Sequence, residues 1–281
     1  MVSSLTSTDG TEIAYEVSGT GPPVILVDGA LGYRALGFGG GLADLLAPSL
    51  SVYSYDRRGR GGSGYTEPST LQREIEDIDA LIARAGGSAG LYGISSGGAL
   101  ALEAAIALGS RVSKLAIYEV PYDSSDAGMR AWAEYRARLA KLVAAGDRGG
   151  AVELFMRFVG ASDEGVEGMR RSPMWQRFES VGATLPLDAE ALGDRRVPSE
   201  RAAAVTAETL VIDGAASLEP MPFMRASAVA LAAAIPRARH LVLEGQSHEV
   251  DPAAIAPVLS AFFVNRDVAS ATSGEAHGQT R

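Results

Sequence analysis

The sequence predicts an α/β fold with a mostly parallel sheet, and three observations predict it. Six short runs, PPVILVDG, LSVYSYDRRG, AGLYGISSGG, KLAIYEVPYD, ETLVIDGAAS and RHLVLEGQS, are apolar almost without a break and end in turn residues. Near-continuous apolarity is what strands of a parallel sheet show when helices cover both faces. Helical patterns lie between the runs, and strand alternating with helix builds a parallel sheet through crossover connections. Between residues 121 and 199 that alternation stops.

Each element has a local reason. The opening STDGTEIAYEVSGTGPP reads as an antiparallel hairpin on the sheet edge. In STLQREIEDIDALIARAGG, Leu71, Ile75, Ile78 and Ile82 follow a helical spacing, Ser69 with Gln72 makes a capping box, and Gly86 suits the C-terminal stop. The charges of that helix are expected to form a solvated face. GGALALEAAIALG and PFMRASAVALAAAIP are more deeply apolar and predict buried helices. DPAAIAPVLSAFFV predicts a last helix that Pro257 either kinks or starts. Within 121–199, MRAWAEYRARLAKLVAAG, GAVELFMRFVG and SPMWQRFESVG are helical in pattern with no strand among them, so a helical insertion is expected over the strand ends, where α/β sheets bind ligands. Trp132 and Trp175 both fall in it. Packing of the insertion onto the core is the leading reading for them, and contact with a bound molecule, which makes them candidate pocket residues, is the second.

Composition narrows the function classes. Of 281 residues, 47% are hydrophobic and 21% charged, which suits a globular domain, and a net charge of −9 with no basic block disfavours nucleic acid. The absence of cysteine excludes disulfides, thiolate zinc sites and a thiol nucleophile, and fits a cytoplasmic protein. MVSSLTSTDGTEIAYE lacks the pattern of a signal peptide, and runs such as VALAAAIP are too short to span a bilayer. The expected partner is a small-molecule substrate, with neither nucleic acid nor membrane. The polar stretch from residue 265 to 281 is expected to be a disordered tail.

The chemistry concentrates at turns. Gly93-Ile94-Ser95-Ser96-Gly97 matches G-x-S-x-G between a strand and a helix, the context that motif requires, and its register selects Ser95 as nucleophile. Ser96 then contributes its backbone N–H. A glycine-rich turn with incidental serines is the alternative. A serine hydroxyl needs a base, and three histidines are available. His277 lies in the tail, His240 opens a strand at an expected surface position, and His248 sits on the loop between the last strand and the last helix. His248 is therefore the expected base, against the alternative of an exposed loop histidine.

Four stretches together resemble the α/β-hydrolase superfamily over residues 8 to 264. VILVDGALG is similar to its strand and oxyanion loop, usually written with His-Gly, and SYDRRGRGGSG to its D-x-R-G-x-G-x-S segment. GISSGG is its nucleophile elbow and GQSHEV its histidine loop. The resemblance implies a mostly parallel eight-stranded sheet with helices on both faces, a core of residues 1–120 and 200–264, and a helical cap of 121–199 after the sixth strand. It also makes Gly59, Gly61 and Gly64, which spell G-x-G-x-x-G, a structural turn rather than a dinucleotide site, so no cofactor and no metal are expected.

Two departures stand out. Asp28-Gly29 replaces His-Gly, and the loop still offers the backbone N–H of Ala30, beside that of Ser96, to an oxyanion. Asp28 is expected to bond local backbone or an arginine such as Arg58. The usual G-x-x-D acid position reads Gly214-Ala215-Ala216-Ser217, and serine cannot offset an imidazolium charge. Haloalkane dehalogenases resemble this chain in carrying an acid after the preceding strand, which points to Glu119. Asp213 and Glu219 compete with it, and a site without an acid remains a further alternative. The resemblance then implies a serine hydrolase acting on an ester, lactone or thioester of a small to medium, mainly apolar substrate. Lyase, cyclase or carbon–carbon bond cleavage by the same Ser-His pair, and a ligand-binding protein with little turnover, are the alternatives.

Overall fold

The computed structural model describes residues 1–36 and 41–265. Apart from Asn265, the expected tail lies outside the described residues, and His277 with it. The strands are β1 (Ser3–Thr6), β2 (Glu12–Ser18), β3 (Pro23–Val27), β4 (Ser51–Tyr55), β5 (Ala89–Ile94), β6 (Val112–Tyr118), β7 (Glu208–Gly214) and β8 (Ala238–Leu243). They form one sheet in the order β1-β2-β4-β3-β5-β6-β7-β8, antiparallel from β1 to β4 and parallel from β4 to β8. The edge hairpin pairs Ser3–Thr6 with Glu12–Ser18 around a turn at 7–11. The chain runs from β3 to β4 on one side and then crosses to β5 on the other. Between the carboxyl ends of β3 and β5 it therefore has a topological switch point, where open α/β sheets place their ligands.

The apolar runs are continuous because both faces are covered. Ile25, Val27, Leu91, Leu115 and Ile117 face α2 (Leu71–Arg84) and α3 (Ser96–Leu108). Val24, Val52, Tyr92, Ala116 and Leu210 face α1 (Leu42–Leu46) and α11 (Pro252–Phe263). Pro252 starts the last helix, capped by Asp251, so Pro257 lies inside it rather than in its first turn.

In α2 the spacing held: Ile75, Ile78, Leu81 and Ile82 are buried, and Gly86 closes the helix in a left-handed conformation with φ 105°. Its cap differs from the expected one. Thr70, not Ser69, is extended and accepts the Arg73 N–H at 3.4 Å, so the helix starts one residue later. Its charges are not all solvated either. Glu74 and Asp77 are buried because Arg57 and Arg58, themselves enclosed, need carboxylate partners.

Between β6 and β7 the chain forms only helices: α4 (Asp126–Ala144), α5 (Arg148–Phe158), α6 (Asp163–Arg170), α7 (Trp175–Val181), α8 (Leu185–Leu192) and the short α9 (Ser199–Ala202). α10 (Pro222–Ala234) follows β7. No helix among the described residues is long and apolar enough to cross a membrane.

Candidate active site

The stretch GISSGG turns sharply from β5 into α3. Ser95 has φ 56° and ψ −130°, a conformation costly for a residue with a Cβ, and its N–H is held by the Tyr118 carbonyl at 2.9 Å. The neighbouring glycine explains why this turn tolerates no bulk. A Cβ on Gly97 would collide with the carbonyl of Val27 and come within 2.5 Å of that of Asp28. The backbone of β3 and the start of α3 therefore touch. A Cβ on Gly29 would come 3.1 Å from Cβ of Ser95, which places the Asp28-Gly29 loop beside the serine at the switch point.

Glu119 follows β6, buried and with φ 45°. Its Oε2 meets Nδ1 of His248 at 2.9 Å, and its Oε1 accepts the Gly214 N–H at 2.8 Å. The carboxylate is thus held between the end of β7 and the histidine loop. The loop is held in turn: Tyr118 donates its hydroxyl to the Ser247 carbonyl at 2.5 Å, and the Ala216 N–H reaches the Gln246 carbonyl at 2.9 Å. Burial, reinforced by the charges of Glu119 and Asp213, pushes the Tyr118 phenol further up, so it stays a donor. A Cβ on Gly214 would collide with the Gln246 carbonyl, so only glycine fits there. Tyr118 and Gly214 were missed at the sequence level, although Gly214 stood at the head of the displaced acid motif.

The structure sends the competing acids elsewhere. Asp213 is buried one residue before Gly214, and alternation along the strand turns it away, onto Arg225 and His240. His240 is accordingly half-buried against Asp213 rather than free at the surface. Glu219 is exposed. Ser217, at the usual acid position, is buried with no hydrogen-bond partner for its hydroxyl among the described residues.

Beneath the Asp28-Gly29 loop lies a buried charge network that sequence reading missed. Arg57 grips Glu74 through Nε and Nη2, both at 2.7 Å, and reaches Asp188 at 2.6 Å and the Asp28 carbonyl at 3.1 Å. Arg60 binds the other Asp188 oxygen at 2.6 Å, Thr184 at 3.0 Å, and the carbonyls of Gly29 and Gly32 at 2.6 and 3.2 Å. Burial pushes the Asp188 carboxyl up, but Arg57 and Arg60 outweigh it and hold it below its ordinary value. Asp188 also accepts the Ser96 hydroxyl at 2.8 Å. In a trans peptide a carbonyl and the following N–H point in opposite directions. Drawing the Gly29 carbonyl onto Arg60 therefore turns the Ala30 N–H away from the network. Ser96 opens α3, where the first N–H groups have no intrahelical acceptor.

Asp28 departs from expectation. Arg58 binds Asp77, Asp9 and the Arg73 carbonyl instead, because those carboxylates face it from α2 and the edge turn. The Asp28 carboxyl has no hydrogen-bond donor among the described residues. Burial pushes it up to about 6, against the opposing pull of Arg60 and Arg57. The folded state then holds a proton that the unfolded chain has lost between the ordinary carboxylate value and about 6, so this contribution to stability disappears as pH rises through that window. Asp28→Asn is expected to gain thermal stability over wild type as pH rises from 4 to 7, with the two converging at pH 4. Melting curves across that range check it, and a constant offset would refute it.

Trp132 is buried, stacked on Tyr135 at 5.2 Å between ring centroids, and donates to the Gly193 carbonyl at 2.9 Å. Trp175 stays within the insertion, under the Arg170 guanidinium and beside Gly149. Gly59 and Gly61 have φ 74° and 52° in the turn between β4 and α2, and a Cβ on Gly59 would lie 2.8 Å from Tyr65 and 2.9 Å from Thr184. Among the described residues no group of three or more His, Asp or Glu is placed to hold a metal ion.

A serine on a strained strand-to-helix turn, and a histidine loop paired with a buried carboxylate at the end of a mostly parallel sheet, fit the arrangement of an α/β hydrolase. Residues 19–258 match the Alpha/beta hydrolase family, and the chain belongs to it. It is a hydrolase of that family. An alpha/beta hydrolase of known structure from Sphaerobacter thermophilus DSM 20745 is 46% identical, with 93% of this chain and 100% of that one covered and a TM-score of 0.82. A malate-bound thermophilic esterase from Thermogutta terrifontis is similar in fold, at 23% identity over 94% of this chain and 98% of that one, with a TM-score of 0.71. A curated relative, the proline iminopeptidase PfmaB of Pestalotiopsis fici (strain W106-1 / CGMCC3.15140), is 34% identical over 117 residues. This match spans 38% of the chain and 40% of that relative's length.

Proposed function

We propose that the protein is a serine hydrolase that cleaves an ester, lactone or thioester of a small to medium, mainly apolar substrate through an acyl-enzyme on Ser95. Ser95 Oγ attacks the carbonyl carbon while His248 Nε2 takes its proton, and Glu119 holds the Nδ1–H and offsets the imidazolium charge. The N–H groups of Ala30 and Ser96 receive the developing oxyanion. His248 returns the proton to the leaving group, and water then releases the acid by the same steps in reverse. The helical insertion closes over the strand ends as a cap, with Trp132 in its apolar wall.

The observation that carries this reading is the pair formed by Glu119 and His248 at 2.9 Å, with the second carboxylate oxygen held by Gly214. Such a pair fixes the histidine tautomer that a serine nucleophile requires. The test is labelling with a fluorophosphonate followed by peptide mapping, beside turnover of short-chain 4-nitrophenyl esters. The expected result is one phosphonyl group on Ser95 and loss of ester turnover in proportion to labelling. Label on another residue, or labelling that leaves turnover intact, would overturn it.

A further inference from the structure

The buried arginines of this protein fall into two kinds. Arg57, Arg58 and Arg60 each meet at least one carboxylate. Arg195 is 8% exposed and has no carboxylate within 4.0 Å among the described residues. Its guanidinium instead lies over three rings, Trp132 at 5.7 Å, Phe158 at 5.0 Å and Phe223 at 5.2 Å. Nε donates to the Pro121 carbonyl at 2.9 Å. Nη1 and Nη2 have no acceptor among the described residues. Asp123, whose charge acts on Arg195 without pairing with it, accepts the Ser125 N–H at 3.1 Å at the start of α4.

The position matters as much as the missing partner. Pro121 is two residues beyond Glu119, Phe223 opens the helix after β7, and Arg195 ends the insertion where it returns to the core. The cation thus sits on the seam between cap and core, at the edge where β6 and β7 deliver Glu119 and Gly214. Its backbone is held at φ 68°, with its carbonyl accepting the Asp123 N–H and its N–H reaching the Leu192 carbonyl, each at 2.9 Å. Ring faces offset part of the cost of burying a cation, and the two terminal nitrogens, without protein acceptors among the described residues, keep some access to solvent and hence to a ligand. Burial pulls the group below the ordinary arginine value, with Asp123 opposing.

We propose that Arg195 is an anion subsite that receives a carboxylate at the far end of the substrate from the bond that is cut. The proposal rests on the serine-hydrolase reading above and narrows its substrate class to a carboxylate-bearing ester, lactone or thioester. With Nε committed to Pro121, only the end-on face formed by Nη1 and Nη2 is free, and that face matches two carboxylate oxygens bidentately. The flanking rings hold the fork in one orientation and suit the apolar chain between the carboxylate and the reacting carbonyl.

The test compares mono-4-nitrophenyl glutarate with 4-nitrophenyl butanoate on wild type, Arg195→Lys and Arg195→Met. The ratio of kcat/KM for the anionic over the neutral ester is expected to fall about 10- to 100-fold in Arg195→Met, the scale of hydrogen bonds to a charged group, and less in Arg195→Lys. Calorimetric titration of glutarate into Ser95→Ala protein is expected to show binding that weakens with salt and is absent when Arg195→Met is added. Equal losses on both esters, or no glutarate binding to the Ser95→Ala protein, would overturn the proposal. Because the titration needs no turnover, it tests Arg195 even if Ser95 escapes the fluorophosphonate and the hydrolase reading fails.

Discussion

Ser95→Ala is expected to lower kcat for any ester the protein turns over on the order of 10⁵- to 10⁶-fold, with little change in KM. The side chain loses one oxygen and keeps its Cβ, so the strained turn at φ 56° and the tight space between Gly29 and Cβ of residue 95 persist. On the proposed mechanism, what disappears is the attacking hydroxyl that would form the acyl-enzyme, leaving whatever acceleration binding and the backbone N–H groups supply. Ser96→Ala is the internal control. It removes the hydroxyl that Asp188 accepts at 2.8 Å but retains the Ser96 N–H, so its loss is expected to be far smaller. Steady-state kinetics on the same ester decide between the two serines. If Ser96→Ala is dead and Ser95→Ala is not, the nucleophile is misassigned.

Glu119→Gln is expected to cost about 10³- to 10⁴-fold in kcat. Glutamine can still accept the Gly214 N–H through its carbonyl oxygen, so the support at the end of β7 survives. Its amide nitrogen would then face Nδ1 of His248, where Oε2 now lies at 2.9 Å. An amide donor there forces Nδ1 to accept, which moves the ring proton to Nε2 and leaves that nitrogen unable to take the Ser95 proton. The loss should therefore appear in kcat rather than KM. Asp213→Asn, which touches Arg225 and His240 instead, is expected to retain most of its activity. The reverse pattern, with Asp213→Asn inactive and Glu119→Gln near wild type, would remove Glu119 from the mechanism.

The parts of the site that could be read from the chain are those set by a few neighbouring residues. The step from strand to helix at GISSGG, the choice of Ser95 by register and the helix that begins near Leu71 all follow from local backbone sterics and periodicity. Their evidence lies within a dozen residues of each other. The α/β class followed for the same reason, since six apolar runs separated by helical patterns leave few other architectures. Where a local rule had two close candidates, as with Ser69 and Thr70 at the start of α2, the backbone conformation chose.

Charge pairing was not legible in that way. Glu74 and Asp77 carry no mark in the sequence that separates them from the solvated acids of the same helix. They are buried because Arg57 and Arg58 meet them across a packed interface. Asp188 lies 131 residues from Arg57, and only the docking of α8 against the core brings it between two arginines and Ser96.

The sequence by itself determined the fold class, the turn that presents Ser95 and the loop that offers His248, because each depends on backbone geometry over short spans. Tertiary structure settled which carboxylate meets that histidine, where the resemblance points to Glu119 and leaves Asp213 and Glu219 in competition. Glu119, Asp213 and Glu219 all carry a carboxylate, and the choice rests on which way each points once β6, β7 and the histidine loop are packed. The same packing left Asp28 without a donor and Arg195 without an acid. Burial gives an unpaired charge its consequence, and burial is a property of the assembled fold.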